Sequence, residues 1–330
     1  MKSISIRLLL VDLIYGLGIT DIIRDFPAHF GMLTKYISIK FFKSKPFIYG
    51  SADIINVCNL HCSHCYWWKT RRNEKDELSV EDWRKLIKNT FKKHNVYVVT
   101  LVGGEPLMRQ DVIKTFCDEM PRRVCVVTNG TFPLPRLSNL YFYWVSLDGT
   151  EQIHDSIRGK GAYEKTKKNI LDYIKGPPRN GKPGWKDIWI TMTINSLNYK
   201  TIEDLVLEWK GTINKIGFQF HTPFADDDPL WLPFGEIRNK VVDTIIKLHR
   251  KYPEFVMNTE KQLQLMKGSW GGTKTTPVDC PSWAILSLDH KGKTKHPCCI
   301  GSSDVKALKP ICEKCGVGCY SILVAQGLKN

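Results

Sequence analysis

The 330-residue chain lacks an uninterrupted hydrophobic run long enough to cross a bilayer. Its most apolar stretch, Ile4–Ile19, is broken by Arg7 and Asp12, and each such charge costs roughly 2.5–3.5 kcal/mol near a bilayer centre. No small-residue cleavage pattern follows it, so no signal peptide is expected. The eleven cysteines are then expected in a reducing cytosol, where clustered thiols read as metal ligands or catalytic groups before disulfides. Low-complexity tracts and internal repeats are also missing. With 42% apolar and 11% aromatic residues, disorder is excluded as the dominant state. Acidic residues are scarce, 33 against 48 basic ones, which leaves a net charge of +15. That charge is spread thinly: Lys85, Lys88, Lys92 and Lys93 lie on one predicted helix, and Lys165, Lys167 and Lys168 on another. Such runs read as solvated helix faces. No RNA-binding signature with interleaved aromatics occurs, so no specific nucleic-acid partner is expected.

What is present is an alternation. Short apolar runs at Ser51–Val57, Val96–Val102, Arg122–Thr128, Tyr141–Leu147, Asp187–Ile194 and Lys215–His221 predict strands. Between and after them, helices are predicted from Ser79 to about His94, over Asp111–Met120, Ala162–Ile174, Thr201–Lys210 and Phe234–Lys251, with Ser79 as an N-cap. Six strand–helix units in series imply an α/β fold with a parallel sheet and right-handed crossovers. Six units are short of the eight of a closed barrel, so a partial (β/α)6 barrel is expected. The division is then an apolar and basic N-terminal extension (1–46), a barrel (47–251), a Gly- and Pro-broken linker (252–279) and a small cysteine-rich C-terminal unit (280–330). Six of the eleven cysteines fall in that last stretch.

At the end of the first predicted strand stand Cys58, Cys62 and Cys65, spaced C-x3-C-x2-C. Three thiolates on one loop hold three irons of a cubane and leave the fourth open, whereas iron–sulfur clusters normally take four cysteines. The competing reading is a zinc knuckle completed by His61 or His64. After the second strand comes Gly103-Gly104-Glu105-Pro106, and after the fourth Ser146-Leu147-Asp148-Gly149, then His154-Asp155 and Arg158-Gly159. Strand C-termini gather on one barrel face, where active sites form.

These residues, with Tyr66 and Thr128-Asn129-Gly130, make residues 48–250 resemble the radical S-adenosylmethionine (SAM) enzymes. The resemblance implies that Cys58, Cys62 and Cys65 bind a [4Fe-4S] cluster whose fourth iron takes the methionine amino and carboxylate groups. Gly103, Gly104 and Glu105 would contact the methionine ammonium, and Tyr66 the adenine through its backbone. Ser146 and Asp148 would meet the ribose, and Arg158 the carboxylate. One electron then cleaves the S–C5′ bond to a 5′-deoxyadenosyl radical, chemistry that belongs to the cofactor. A one-electron reductant such as flavodoxin or ferredoxin is the implied partner.

In the tail, Cys280, a hairpin turn at Asp289-His290-Lys291-Gly292, Pro297-Cys298-Cys299, Cys312-x2-Cys315 and Cys319 read as a metal site, zinc or a second cluster. The order resembles the SPASM or Twitch extension of radical SAM enzymes. It implies a second [4Fe-4S] cluster on Cys280, Cys298, Cys312 and Cys315, with Cys299 or Cys319 as substitutes. Six cysteines are too few for two fully cysteine-ligated clusters. Cys117 and Cys125 read as small buried hydrophobes. Trp67, Trp68 and His221 are candidates for the site walls as well as for ordinary core roles. The apolar, lysine-bearing N-terminus admits an anionic membrane surface as partner and peripheral localisation. The expected substrate is a lipid, a peptide or a small molecule. The rival from another class is a zinc-binding protein associated with nucleic acid.

Overall fold

A computed structural model describes residues 26–69, 77–177, 187–271 and 280–328. The apolar stretch Ile4–Ile19 and the Trp68 side chain lie outside the described residues.

Seven parallel strands form one sheet: β1 (Tyr49–Asp53), β2 (Val99–Val102), β3 (Val124–Thr128), β4 (Phe142–Ser146), β5 (Ile188–Ile194), β6 (Lys215–Phe220) and β7 (Ile285–Leu288). Their spatial order is β6-β5-β4-β3-β2-β1-β7, so the sheet is open at β6 and β7. The six expected strands are all present, each within about two residues of its start except β2, which begins three residues later. The seventh comes from the cysteine-rich stretch, where Tyr49 to Ala52 pair with Ile285 to Leu288. The tail therefore supplies backbone to the sheet as well as thiols.

Side chains alternate across each strand. One face carries Leu101, Val126, Tyr143, Val145, Ile190, Met192 and Phe218, all nearly inaccessible. Helices cover that face: α2 (Val80–Leu86, continued by a π turn to Lys92), α3 (Gln110–Glu119), α4 (Glu151–Arg158), α5 (Ala162–Ile174), α6 (Ile202–Trp209) and α7 (Glu236–Lys251). The registers place Ser51, Thr100, Cys125, Phe142 and Trp189 on the opposite face. That face is the lumen of the partial barrel, and it carries polar and aromatic side chains.

Local chemistry sets the helix ends. Ser79 Oγ accepts from the Asp82 amide at 3.1 Å, the N-cap expected at the start of α2, and its hydroxyl donates to the Asp82 carboxylate at 2.6 Å. Asp155 accepts from the amides of Gly161 and Tyr163 at 2.5 and 2.9 Å and so fastens the start of α5. Two helices arise in stretches expected to be basic segment and linker: α1 (Phe26–Phe42) and α8 (Glu260–Leu265). A last helix, α9 (Gly318–Ala325), packs with Met32, Ile48, Ala284 and Ile285 in a second apolar cluster under β1 and β7.

Candidate active site

The loop after β1 is built by backbone pairing with the loop after β2. The amides of Gly104 and Glu105 donate to the carbonyls of Ile55 and Val57 at 3.1 and 2.9 Å. A Cβ on Gly104 would lie 1.9 Å from the Val57 carbonyl oxygen, and on Gly103, at φ +129°, 2.5 Å from that of Ile55. Only glycine lets the two loops approach this closely. The thiols follow directly. Asn129 Nδ2 lies 4.0 Å from Cys58 Sγ, and Arg158 Nη1 lies 3.9 Å from Cys62 Sγ. The Ser63 amide donates to the Ile157 carbonyl at 2.9 Å, which ties the cysteine loop to α4. Burial pushes the Cys58 thiol up to about 12, and burial raises Cys62 against the pull of Arg158.

Two buried carboxylates organise the rim. Glu105 accepts from Thr128 Oγ1 at 2.7 Å and from the amides of Leu107 and Asn129 at 3.0 and 2.8 Å. These bonds couple the Gly-Gly-Glu-Pro loop to Thr128-Asn129-Gly130. Burial still pushes its carboxyl above the usual range. Asp148 accepts from Arg158 Nε at 2.6 Å and from the Thr193 amide at 3.1 Å, and its own amide donates to His154 Nδ1 at 3.2 Å. Although burial opposes it, the Arg158 guanidinium, with His64 and His154, holds the Asp148 carboxyl below the usual range. Ser146 is buried at the end of β4, two residues from Asp148.

His64 Nε2 stands 3.7 Å from Asp148, and its ring meets His221 edge-on at 6.4 Å. Burial drops His64 to about 4. It therefore faces the carboxylate rather than completing a knuckle with the thiols. Among the described residues, no three His, Cys, Asp or Glu side chains gather where one metal ion would sit. A four-iron cluster takes its thiolates at separate irons, so its ligands need not meet at one point. Three thiols on one loop, flanked by amide and guanidinium donors and backed by a glycine cradle, fit such a cluster. His221 hydrogen-bonds Asp228 at 3.0 Å beside His64, at the same rim. Tyr66 stacks on Phe224 at 5.9 Å, while Trp67 turns into the core and donates to the Asn56 carbonyl at 3.3 Å.

Four of the tail cysteines, Cys280, Cys298, Cys299 and Cys315, border the second apolar cluster with Met32, Ile48, Ala284 and Ile285. Cys299 Sγ and Cys319 Sγ are 3.7 Å apart. Burial raises the Cys280 and Cys298 thiols, and Cys299 and Cys315 add to it in both. Burial pushes Cys315 up to about 12, reinforced by Cys312. The Cys312–Cys315 turn docks on the end of β6: the Phe220 amide donates to the Gly316 carbonyl at 3.0 Å, and the Gly316 amide to Thr222 Oγ1 at 2.9 Å. Cys117 and Cys125 stay in the core.

One feature was not legible in the sequence. Lys295 Nζ donates to both oxygens of Asp53 at 2.9 and 2.8 Å, with both residues buried. The ammonium lies 5.9 Å from the Tyr66 ring centre. This pair joins the end of β1 to the segment that carries Cys298 and Cys299. The run Lys-Thr-Lys-His gives no sign of it, since nothing in it separates Lys295 from its exposed neighbour Lys293.

The site is thus a three-thiol loop at the C-terminal rim of the first strand of an open parallel sheet. Residues 53–177 match the model of the Radical SAM superfamily. Members of that superfamily use a [4Fe-4S] cluster and SAM. The chain is 30% identical over 215 residues to Fe-coproporphyrin III synthase of Methanosarcina barkeri, covering 60% of this chain and 50% of that protein. It is 28% identical over 198 residues to the sporulation killing factor maturation protein SkfB of Bacillus subtilis, covering 57% and 43%. The chain thus spans about half the length of these relatives. Among solved structures, Streptococcus suis SuiB bound to precursor peptide SuiA superposes with a TM-score of 0.58 at 11% identity, over 78% of this chain and 61% of that one. That likeness concerns the fold.

Proposed function

We propose that the chain is a radical SAM enzyme whose SAM-cleaving cluster is held by Cys58, Cys62 and Cys65. The observation that carries this is the cysteine loop itself, pinned at the strand C-termini against Gly103–Gly104 and between Asn129 and Arg158. When bound, the reduced cluster supplies the electron that cleaves SAM, and the radical chemistry is the cofactor's. The protein's own part is placement. The tight glycine loops leave backbone groups of Gly103 and Gly104 open to the methionine ammonium. Ser146 and Asp148 face the ribose, with the Asp148 carboxylate held ionised by Arg158. Arg158 in turn serves the methionine carboxylate, and the Tyr66 backbone meets the adenine. Glu105 joins Gly103 and Gly104 at the methionine ammonium and also braces the Asn129 loop.

Cys280, Cys298, Cys312 and Cys315 hold an auxiliary [4Fe-4S] cluster, with Cys299 and Cys319 as the alternative ligands. Residues 47–251 form the catalytic core, and 280–330 the auxiliary unit that also closes the sheet edge through β7. The substrate is a peptide, a lipid or a small molecule, and the reductant a one-electron carrier of the flavodoxin or ferredoxin kind. The coproporphyrin in the name of the synthase supports the small-molecule class. Anaerobic reconstitution tests the reading: a brown protein with two cubanes' worth of iron is expected. A colourless protein that takes up zinc instead would return the assignment to the zinc reading.

A further inference from the structure

Half of the exposed large apolar side chains among the described residues sit on one 17-residue helix. Phe26, Phe30, Leu33, Ile37, Phe41 and Phe42 of α1 are 40–78% exposed. At 100° per residue the first five fall within about 80° of arc, a single stripe along the helix. The opposite side is the packed one. Ala28, Gly31 and Met32 are buried. Lys35 Nζ donates to the carbonyls of Phe47, His94 and Asn95 at 2.6, 2.7 and 2.6 Å. A Cβ on Gly31 would fall 1.6 Å from Asn95 Nδ2. The orientation of α1 is therefore fixed from beneath, and the stripe is held outward rather than turned out by chance. A soluble surface rarely keeps so continuous an apolar strip without a use.

Charge distinguishes what the stripe meets. No aspartate or glutamate occurs from Phe26 to Phe47. Lys40, Lys43 and Lys45 are exposed and follow the C-terminal half of the stripe, around Phe41 and Phe42. Apolar side chains in line with a basic flank and no acid match the headgroup region of an anionic bilayer, where the rings enter the acyl boundary and the lysines meet phosphates. We infer that α1 is a membrane-docking helix for anionic lipid surfaces. Among the described residues no helix is long and apolar enough to span, so the contact is interfacial.

The place of α1 gives the docking a direction. Its buried side contacts the residues that precede β1 and β2, the end of the strands opposite to the cysteine loop. Docking through α1 holds the candidate active site away from the bilayer. The contact is a tether, and it does not feed lipid into the rim. This inference does not depend on the radical SAM reading.

The test is sedimentation of the full-length protein, anaerobically prepared, with vesicles of phosphatidylcholine alone and of phosphatidylcholine with phosphatidylglycerol. Binding to the anionic vesicles is expected at low salt, weakening as the Debye length shrinks. The variant Lys40→Gln/Lys43→Gln/Lys45→Gln should bind anionic vesicles about a hundredfold more weakly, at roughly fivefold per lysine. The variant Phe30→Ser/Ile37→Ser/Phe41→Ser should lose binding to the anionic vesicles, while its iron content stays that of the parent protein. A full-length protein that ignores anionic vesicles at low salt would overturn the inference, as would both variants binding like the parent. A dimer that the serine variant converts to monomer, with no vesicle binding by either, would assign the stripe to a second copy of the chain instead.

Discussion

Asp148 is the residue on which the rim geometry converges. It receives Arg158 and the Thr193 amide, its backbone serves His154, and His64 stands beside it. Breaking a buried ion pair from one side leaves an uncompensated charge and costs about 3–5 kcal/mol. Arg158→Met should lose that much in urea unfolding, because it also strips the guanidinium from Cys62; a loss under 1 kcal/mol, the range of exposed pairs, would mean Asp148 is hydrated. The pH dependence follows from His154. Burial, helped by Arg158, lowers it from 6.5 to about 4 in the folded protein. Between those values the unfolded chain binds the extra proton, so stability falls as pH drops from about 6.5 to 4, at up to 1.4 kcal/mol per unit for this group. His154→Gln should lower the slope of that part of the unfolding profile, the remainder coming from His64, which burial lowers in the same way, and an unchanged slope would contradict the assignment.

At the scale of elements, what the sequence declares and what it conceals have separate causes. Motifs whose chemistry is local were legible: the Ser79 cap, the glycine pair, the cysteine spacing and the six barrel strands. Contacts between distant segments were not. Lys295 reaches Asp53 across 242 residues, and β7 pairs with β1 although Ile285–Leu288 reads as one arm of a hairpin. The hairpin turn itself was legible: the Asp289 carboxylate accepts from the amides of Lys291 and Lys293 at 2.9 and 2.8 Å. Its first arm is claimed by the sheet edge, because an unpaired parallel edge at β1 would leave buried backbone groups unsatisfied. In α1 the lysines fall among the apolar positions of its helical period, so composition alone does not mark the helix. Gly104→Ala tests the loop pairing. With 1.9 Å to the Val57 carbonyl, the methyl must push the two loops apart. SAM binding by equilibrium dialysis should be lost while the far-ultraviolet circular dichroism stays unchanged. Retained affinity would show that the loops are not held together as described.

For the whole molecule, the two thiol groups use separate segments and separate backbone supports. One rests on β1 and β2, the other on the end of β6. Loss of one should therefore spare the other. Cys312→Ala/Cys315→Ala should reduce iron to one cubane's worth and leave SAM binding intact, read by iron analysis and dialysis. A double variant that keeps all its iron would remove the auxiliary cluster from the account.

The central claim is that Cys58, Cys62 and Cys65 hold the cluster that cleaves SAM, and its most direct test is 5′-deoxyadenosine production. The reconstituted protein, incubated anaerobically with SAM and dithionite, should release 5′-deoxyadenosine, and Cys58→Ala should release none while remaining folded, since the apolar core of sheet and helices does not include Cys58. Undiminished 5′-deoxyadenosine from Cys58→Ala, or none from the parent protein with its iron fully loaded, would contradict the claim.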